Sequence, residues 1–345
     1  MIHAALTKLM ERQALTQAEA EEAMDEIMQG QATPALIAGF LVALRLKGET
    51  EEEMAGFVTA MRAHAVPVAG PEGAVLVDTC GTGGDGRQTF NISTAAACVA
   101  AGAGAYVAKH GNRAVSGRVG SADVLEALGA NIQLGPEGVA HTLAVSHLGF
   151  MFAPNYHPSM RHAGPVRREL GVRTVFNLLG PLTNPAGAQA QVMGVADPRA
   201  ALIIARALTR LGTHHALVVH GDGGLDEIAL GPTICYEIRE GQEPRRFTIM
   251  PEEFGLPAAP ISEIRGGSLE ESADIIRRVL RGELGPHRDV VLLNAGAALY
   301  VGGLAPDLRE GIALAAAAID SGAAARALAA FVAASNGPIP AGEEA

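Results

Sequence analysis

The chain has 345 residues, of which 48% are apolar and 18% are charged, and its formal net charge is −11 at pH 7. This length allows two or three domains, and the apolar fraction is sufficient for a large core. Sustained nucleic-acid binding normally requires a basic face, because phosphate neutralisation by Lys and Arg dominates the affinity. The acidic balance therefore disfavours a nucleic-acid-binding function.

The N-terminal residues MIHAALTKLMERQ carry charge early and lack the apolar core of a signal peptide. Nowhere is an apolar run long enough for a membrane span. The three cysteines, Cys80, Cys98 and Cys235, are an odd number without zinc-type spacing, which is typical of a reducing compartment. We therefore expect a soluble, cytoplasmic protein.

Residues 1–65 are predicted to be entirely helical. Thr16 and Thr50 each precede a Glu by three residues, which is capping-box spacing, and Thr33 precedes a proline suited to a first helical turn. The helix after Thr33 contains ALIAGFLVALRL, which is apolar nearly all round. Such a helix must be covered on several sides, so we expect it to pack against another subunit. Burial within the same chain is the alternative.

The Pro and Gly content of residues 66–73 marks a linker, after which the pattern changes. Short apolar β-type runs then alternate with helical segments, which is typical of a mostly parallel sheet with crossover helices. These runs lie at 74–78, 105–108 and 215–220. The sequence thus predicts an α/β protein with a small all-helical N-terminal domain, 1–70, and a larger α/β domain, 71–338, whose mostly parallel sheet is flanked by helices.

The first of these strands leads into a Gly-rich stretch, TCGTGGDG at 79–86. Closely spaced glycines allow successive N–H groups to point into one concavity, which can hold an anion. Residues 91–94, NIST, precede the apolar helical run AAACVAAGA, so a phosphate there would lie at a helix N-terminus. The spacing matches neither a P-loop nor a dinucleotide fingerprint. We predict a phosphate-binding loop, with a tight turn as the alternative.

Basic side chains follow the second strand. Lys109, His110 and Arg113 fall within five residues at its expected carboxyl end, where ligands of open α/β sheets bind. Ser121 is expected to cap the next helix, ADVLEALG at 122–129. A solvated basic turn is the alternative interpretation of this segment.

Acidic side chains follow the strand at 215–220. Asp226 and Glu227 are adjacent in a Gly-rich loop, which alone is also consistent with a solvated turn. Mg²⁺ prefers one or two carboxylates together with substrate phosphate oxygens. Beside two phosphate-binding loops, this pair is predicted to hold magnesium.

Together these residues resemble the anthranilate phosphoribosyltransferase family, which belongs to the nucleoside-phosphorylase-like class of phosphoribosyltransferases. The matching strings span essentially the whole chain: DTCGTGGDG at 78–86, TFNIST at 89–94, KHGNRAVSGRVGSADVLEALG at 109–129, HPSMRHAGPVRRELGVRTVFNLLGPLTNPA at 157–186 and GLDE at 224–227. The resemblance implies a Mg²⁺-dependent enzyme of tryptophan synthesis. Its substrates would be phosphoribosyl diphosphate, which donates the ribose 5-phosphate, and anthranilate, which accepts it.

The resemblance also implies roles for individual residues. Those expected to bind phosphoribosyl diphosphate are Gly81, Gly84, Asp85, Thr89, Asn91, Ile92, Ser93, Thr94, Lys109, His110, Gly111, Asn112, Arg113, Ala114, Val115, Ser116, Gly117 and Ser121. Those expected to contact anthranilate are Gly81, Asn112, His157 and Arg167, with His110 steering this acceptor. The expected magnesium ligands are Ser93, Asp226 and Glu227.

The family resemblance further implies an active site in the cleft between the two domains, a homodimer formed by the helical domain, and a segment around 165–190 that joins this domain. No covalent nucleophile is expected, and Cys80 is interpreted as structural. One alternative is a pyrimidine nucleoside phosphorylase, against which the Asp226-Glu227 pair and the HPSMRHAGPVR segment count. The other is a non-catalytic nucleic-acid-binding homologue, which the net charge disfavours.

Overall fold

A computed structural model describes residues 1–114 and 119–339. The N-terminal part consists of helices α1 (Ile2–Met10), α2 (Gln17–Met28), α3 (Pro34–Lys47) and α4 (Glu51–Ala63). The elements that follow are β1 (Leu76–Gly81), α5 (Ile92–Gly102), β2 (Tyr106–Gly111), α6 (Ser121–Ala127), α7 (Pro136–Ser146), β3 (Leu148–Phe152), α8 (Ala153–Tyr156), α9 (Met160–Leu170), α10 (Phe176–Leu179), β4 (Ala190–Gly194), α11 (Pro198–Arg210), β5 (His215–Gly221), β6 (Thr233–Arg239), β7 (Arg245–Ile249), α12 (Leu269–Leu280), α13 (Pro286–Val301), α14 (Leu308–Asp320) and α15 (Ala323–Asn336).

The predicted starts of α2, α3 and α4 are confirmed. The Thr16 and Thr50 side chains accept hydrogen bonds from the N–H groups of Glu19 and Glu53, whose carboxylates accept in return from the cap N–H groups. Thr33 caps α3 ahead of its proline. These side chains satisfy N–H groups that the first helical turn leaves without partners, so the sequence itself fixes where the helices begin.

Glu53 also joins three parts of the helical bundle. Its carboxylate is fully buried and accepts hydrogen bonds from the backbone N–H groups of Leu15 and Thr50, both at 2.9 Å. The Lys47 ammonium pairs with it at 2.8 Å and is itself nearly buried. A buried charge is tolerated only when it is paired and hydrogen-bonded, and here both conditions are met.

Helix α3 is covered on one side by its own chain. Ile37, Phe40, Leu41 and Leu44 are buried, and α3 packs against α1 and α9. On its other side, apolar residues face outward, including Leu46, which is 71% exposed. Burial within the chain therefore accounts for one face of this helix and leaves the other open.

Helices α9 and α10 pack against the four N-terminal helices, although they come far later in the chain. Ala163 and Val166 of α9, and Phe176 and Leu179 of α10, belong to the same buried cluster as Phe40 of α3. Contacts of α9 with α2 and α3 and of α10 with α4 complete the packing. Helix α11 also packs against α4 and contributes Ile204 to this cluster, so the helical core is assembled from segments that are far apart in the sequence.

The seven strands form one sheet in the order β3-β2-β1-β4-β5-β6-β7. The first five strands in this order pair in parallel, whereas β6 pairs antiparallel with both of its neighbours, β5 and β7. The prediction of a mostly parallel sheet is confirmed. The strand order reverses at β1, which lies between β2 and β4, and ligands of open α/β sheets bind at the carboxyl ends of strands beside such a point.

The most buried helices cover one face of this sheet. Val77 of β1, Val107 of β2 and Leu217 of β5 share a core with α5 and α13.

Among the described helices, no single one is both long and apolar enough to cross a membrane. Only α14 and α15 taken together, across a 69° bend, reach that length and composition.

Candidate active site

Three loops meet at the carboxyl edge of the sheet. They follow β1, β2 and β5, and two hydrogen bonds tie the third loop to the first. The Gly83 N–H donates to Asp226 Oδ2 at 2.7 Å, and the Ser93 N–H donates to Glu227 Oε1 at 3.1 Å. The acidic pair is therefore part of the same site as the Gly-rich stretch and the start of α5.

The Gly-rich loop uses conformations and space that only glycine has. Gly83, Gly84 and Gly86 have φ values of 66°, 71° and 80°. At Gly81, an added Cβ would lie 2.5 Å from Asp226 Oδ2. Left-handed φ values are strained for other residues, so this loop requires its glycines in order to fold against the acidic pair.

The start of α5 offers polar groups without protein partners. Asn91 donates from Nδ2 to the Val119 carbonyl at 2.9 Å, but its buried Oδ1 has no partner among the described residues. The same holds for the buried Thr94 hydroxyl. Buried polar atoms are almost always hydrogen-bonded, and a helix N-terminus attracts anions. These groups are thus suited to a phosphate-bearing ligand.

Lys109 lies inside the protein rather than on a solvated turn. Its side chain is buried, and its ammonium donates to the Thr79 carbonyl and to Ser93 Oγ, the latter at 3.2 Å. Burial raises the pKa of nearby Asp78 to about 6, although the positive charge of Lys109 opposes this shift. The ammonium therefore ties β2 to β1 and to the start of α5, and its charge acts on the nearby acidic group.

Arg113 takes a different position. Its guanidinium is exposed and pairs with Asp123 at 2.8 Å and Glu126 at 2.6 Å, both on α6. Exposed ion pairs contribute little stability, so a phosphate would compete with these carboxylates at small cost. The prediction that Ser121 caps α6 is wrong, because Gly120 is the N-cap and Ser121 is the first residue of the helix. The Ser121 hydroxyl instead donates to the Asn112 carbonyl at 3.4 Å, which keeps the loop folded on the start of α6.

Asp226 and Glu227 are half-buried at the cleft. Burial raises the pKa of both carboxyls, and repulsion from Asp85 for the first and from Asp226 for the second adds to it. Among the described residues, no group of three His, Cys, Asp or Glu side chains could enclose a metal. Two carboxylates and the Ser93 hydroxyl instead suit a cation such as Mg²⁺, which takes further ligands from substrate phosphates.

His110 and His157 form a buried pair, with ring centroids 5.0 Å apart. His110 Nδ1 lies 3.2 Å from the Gly180 carbonyl, so this nitrogen carries the proton. Burial, aided by His157, lowers the pKa of His110 to about 3, and burial also lowers the pKa of His157. Both rings are therefore neutral at pH 7. Their buried Nε2 atoms have no partner among the described residues.

Arg167 is a half-buried cation on α9. Its guanidinium lies over the Phe176 ring, 5.1 Å from the centroid, and burial lowers its pKa. In the described part of the chain, none of the ion pairs involves Arg167. A desolvated guanidinium without a counter-ion favours a carboxylate ligand.

Other candidate residues lie in the same loops. Thr89 bridges to Arg265, Ile92 is buried in the first turn of α5, and Gly111 ends β2. The Ala114 N–H donates to Asp123. Val115, Ser116 and Gly117 lie outside the described residues.

Two residues at the site were not identified from the sequence. Asp78 is buried, accepting from Asn184 Nδ2 at 2.8 Å and from the His110 N–H at 3.3 Å. Arg173 donates to the Gly83 carbonyl. A carboxylate that ends an apolar strand was an available signal for Asp78. An arginine in a connecting segment carries no comparable signal.

A second polar cluster lies at the opposite edge of the sheet and has a structural explanation. Glu237 accepts from the Tyr300 hydroxyl at 2.5 Å and pairs with Arg245 at 2.6 Å. His215 lies 3.1 Å from the same carboxylate. A cleft of about 240 Å³ adjoins this cluster, but the carboxylate is already satisfied by protein groups.

The mostly parallel sheet, the Gly-rich loop beside an acidic pair and the helical bundle accompany matches to both domains of one family, so the chain belongs to the glycosyl transferase family. Residues 73–325 match the a/b domain of the glycosyl transferase family, and residues 3–65 match the helical bundle domain of that family.

Relatives and solved structures narrow this class. The anthranilate phosphoribosyltransferase of Chloroflexus aurantiacus is 56% identical over 340 residues, which cover 97% of this chain and 99% of that protein. The corresponding enzyme of Moorella thermoacetica is 54% identical, with 96% and 98% covered. The chain belongs to the anthranilate phosphoribosyltransferase family, and the sequence-based assignment to this family is confirmed.

Two solved structures share the fold. The anthranilate phosphoribosyltransferase of Thermus thermophilus superposes with a TM-score of 0.91 at 48% identity, covering 96% of this chain and 99% of that one. The enzyme of Saccharomyces cerevisiae, in complex with phosphoribosyl diphosphate and Mg, gives a TM-score of 0.87 at 29% identity, with 97% of each chain covered. The predicted fold class is thereby confirmed.

Proposed function

We propose that this enzyme transfers the 5-phosphoribosyl group of phosphoribosyl diphosphate to the amine of anthranilate and releases diphosphate, as a step of tryptophan synthesis. The observation that carries the proposal is that two kinds of groups lie on segments joined by the contact between Arg173 and the Gly83 carbonyl. Anion-binding groups and an acidic pair lie on one side, at Gly83, Ser93 and Asp226. On the other side, Arg167 is a half-buried cation without an ion-pair partner in the described chain.

The reaction breaks the bond between C1 of the ribose and the diphosphate oxygen. Positive charge develops on the ribose ring, as in glycoside cleavage, and negative charge develops on the leaving diphosphate. The donor-binding residues act by orienting the diphosphate and stabilising this charge with N–H groups, the α5 N-terminus and the Lys109 ammonium. We assign no covalent nucleophile. Burial raises the pKa of the Cys80 thiol far above neutral, which fits its structural role.

We assign Mg²⁺ to Ser93, Asp226 and Glu227. When bound, it supplies positive charge that neutralises the leaving diphosphate. Burial raises the pKa values of the two carboxyls, with added repulsion from Asp85 on Asp226 and from Asp226 on Glu227, and a bound cation would favour their ionised forms. The magnesium in the Saccharomyces cerevisiae complex supports this assignment.

On the acceptor side, Arg167 holds the carboxylate of anthranilate, and Gly81 and Asn112 contact the same molecule. His110 and His157 flank its ring. Because both imidazoles are neutral and buried, their free Nε2 atoms can accept a hydrogen bond from the anthranilate amine. This arrangement steers the amine towards the ribose, whereas a pKa of about 3 makes His110 a weak general base.

We also propose how the protein assembles and where in the cell it is located. The exposed apolar side of α3, with Val42 at 38% and Leu46 at 71% exposure, supports a homodimer through the helical domain. The three cysteines are free and buried, which agrees with a cytoplasmic location. The domain division near residue 70, with a later segment joining the helical part, is supported by the packing of α9 and α10.

Loss of anthranilate fluorescence on mixing with phosphoribosyl diphosphate and Mg²⁺ tests the function. We expect loss that requires all three components. Consumption of thymidine or uridine with phosphate, without any use of anthranilate, would instead establish a nucleoside phosphorylase. Salt-sensitive retention of DNA in a gel shift, without either activity, would favour the nucleic-acid-binding alternative.

A further inference from the structure

Arg173 connects the acceptor side of the cleft to the donor loop. It lies between α9 and α10, and its Nη1 and Nη2 atoms both donate to the Gly83 carbonyl, each at 3.1 Å. Nη1 also lies directly over Gly84, where even a Cβ would collide with it. The guanidinium is thus packed on the Gly-rich loop, although Arg173 as a whole is exposed.

The contact fixes the orientation of one peptide group. Both polar groups of Gly83 are held, the N–H by Asp226 at 2.7 Å and the carbonyl by Arg173. In a trans peptide, the Gly83 carbonyl and the Gly84 N–H lie in one plane and point in opposite directions. Because Arg173 binds the carbonyl, the Gly84 N–H must point away from Arg173. Without this contact, two consecutive glycines with positive φ would be free to rotate that peptide.

We infer that Arg173 is a positioning residue for phosphoribosyl diphosphate, which sets the direction of the Gly84 N–H that binds the donor. This inference rests on the proposed function, because Gly84 is among the residues that the family resemblance assigns to the donor. Arg173 follows Arg167 by six residues, so one segment carries both the acceptor's cation and the contact that orients the donor loop. A guanidinium offers two N–H groups in a rigid fork, which a lysine cannot reproduce.

The test compares Arg173→Ala and Arg173→Lys with Arg168→Ala, a matched control at an exposed arginine on α9. We expect Arg173→Ala to raise both the calorimetric Kd and the KM for phosphoribosyl diphosphate about ten-fold, the effect of losing a charge-assisted hydrogen bond. KM for anthranilate should stay nearly unchanged, and Arg173→Lys should lie between wild type and alanine. Methylguanidinium should partly restore donor binding in Arg173→Ala, because the site is open to solvent. Arg168→Ala should behave as wild type.

The possible outcomes distinguish a failure of the proposed function from a failure of the positioning role of Arg173. Wild-type protein that fails to bind the donor with Mg²⁺ contradicts the proposed function itself. Wild-type binding with unchanged donor affinity in both Arg173 variants overturns the positioning role. Equal increases in KM for both substrates, without rescue by methylguanidinium, would also overturn it and show a general structural role. Melting temperatures of all variants exclude unfolding as the cause, and Arg173→Lys keeps the test decisive if the alanine variant is unstable.

Discussion

Replacement of Arg167 by alanine should separate acceptor recognition from donor recognition. The guanidinium is half-buried over Phe176 and has no carboxylate partner in the described chain, so its burial cost is not offset within the protein. A substrate carboxylate would supply the missing partner through charge-assisted hydrogen bonds worth about 1.5–3 kcal/mol. Arg167→Ala should therefore lower kcat/KM for anthranilate roughly ten- to a hundred-fold. The apparent affinity for phosphoribosyl diphosphate should change little.

The assay is the initial rate of anthranilate fluorescence loss, with each substrate varied at saturating concentration of the other. Aniline, which lacks the carboxylate, serves as a competing ligand. Wild type should prefer anthranilate over aniline strongly, and Arg167→Ala should lose most of this preference. Arg168→Ala, at an exposed neighbour on the same helix, is the control. If Arg167→Ala weakened use of both substrates equally, or kept the full preference over aniline, Arg167 would be structural and our argument refuted.

Four further predictions concern the metal, the helical core and assembly. Asp226→Asn combined with Glu227→Gln should abolish most Mg²⁺-dependent turnover while the fold persists; unchanged activity at limiting Mg²⁺ would contradict the assignment. Because burial and repulsion raise the pKa of both carboxyls, their ionisation as pH rises costs stability, so Mg²⁺ should raise the wild-type melting temperature more at about pH 8.5 than at about pH 6. An equal gain at both pH values, or the same gain in the double variant, would argue against a metal at this pair. Glu53→Ala should destabilise the protein by roughly 3 kcal/mol, because it leaves a buried ammonium unpaired; a melting temperature equal to that of wild type would refute this. Val42→Glu with Leu46→Glu should convert a dimer to a monomer in light scattering, and a wild-type monomer at micromolar concentration would disprove the proposed interface.

Signals that act within a few residues predict much of the fold. The caps at Thr16, Thr33 and Thr50 lie within three residues of the N–H groups that they satisfy, so sequence spacing alone identifies them. Apolar runs predict strands at 74–78, 105–108 and 215–220, and the structure places them at 76–81, 106–111 and 215–221. Parallel pairing follows from their alternation with helices.

Features that depend on long-range packing are harder to predict from the sequence. The burial of Lys109 could not be deduced, because lysine side chains are normally solvated and the sequence predicts a strand that ends at 108, whereas β2 continues to Gly111. Arg173 meets Gly83 across 90 residues of sequence, a contact that no local spacing encodes. The neutral state of the His110–His157 pair likewise results from burial by distant elements. The roles of individual residues at the site are implied by the family resemblance and could not be predicted from residue spacing.

The helical core is built from segments that are far apart in the sequence, and this has a consequence while the chain is being synthesised. Helix α4 ends at Ala63, but α10, which contributes Phe176 to the same core, begins more than a hundred residues later. At about 5–20 residues per second, the ribosome needs on the order of ten seconds to make the intervening chain. During this interval the nascent bundle exposes apolar surface that α9 and α10 later cover. A stalled or truncated chain ending before residue 160 should therefore aggregate or recruit chaperones, even though its four helices carry sound capping signals.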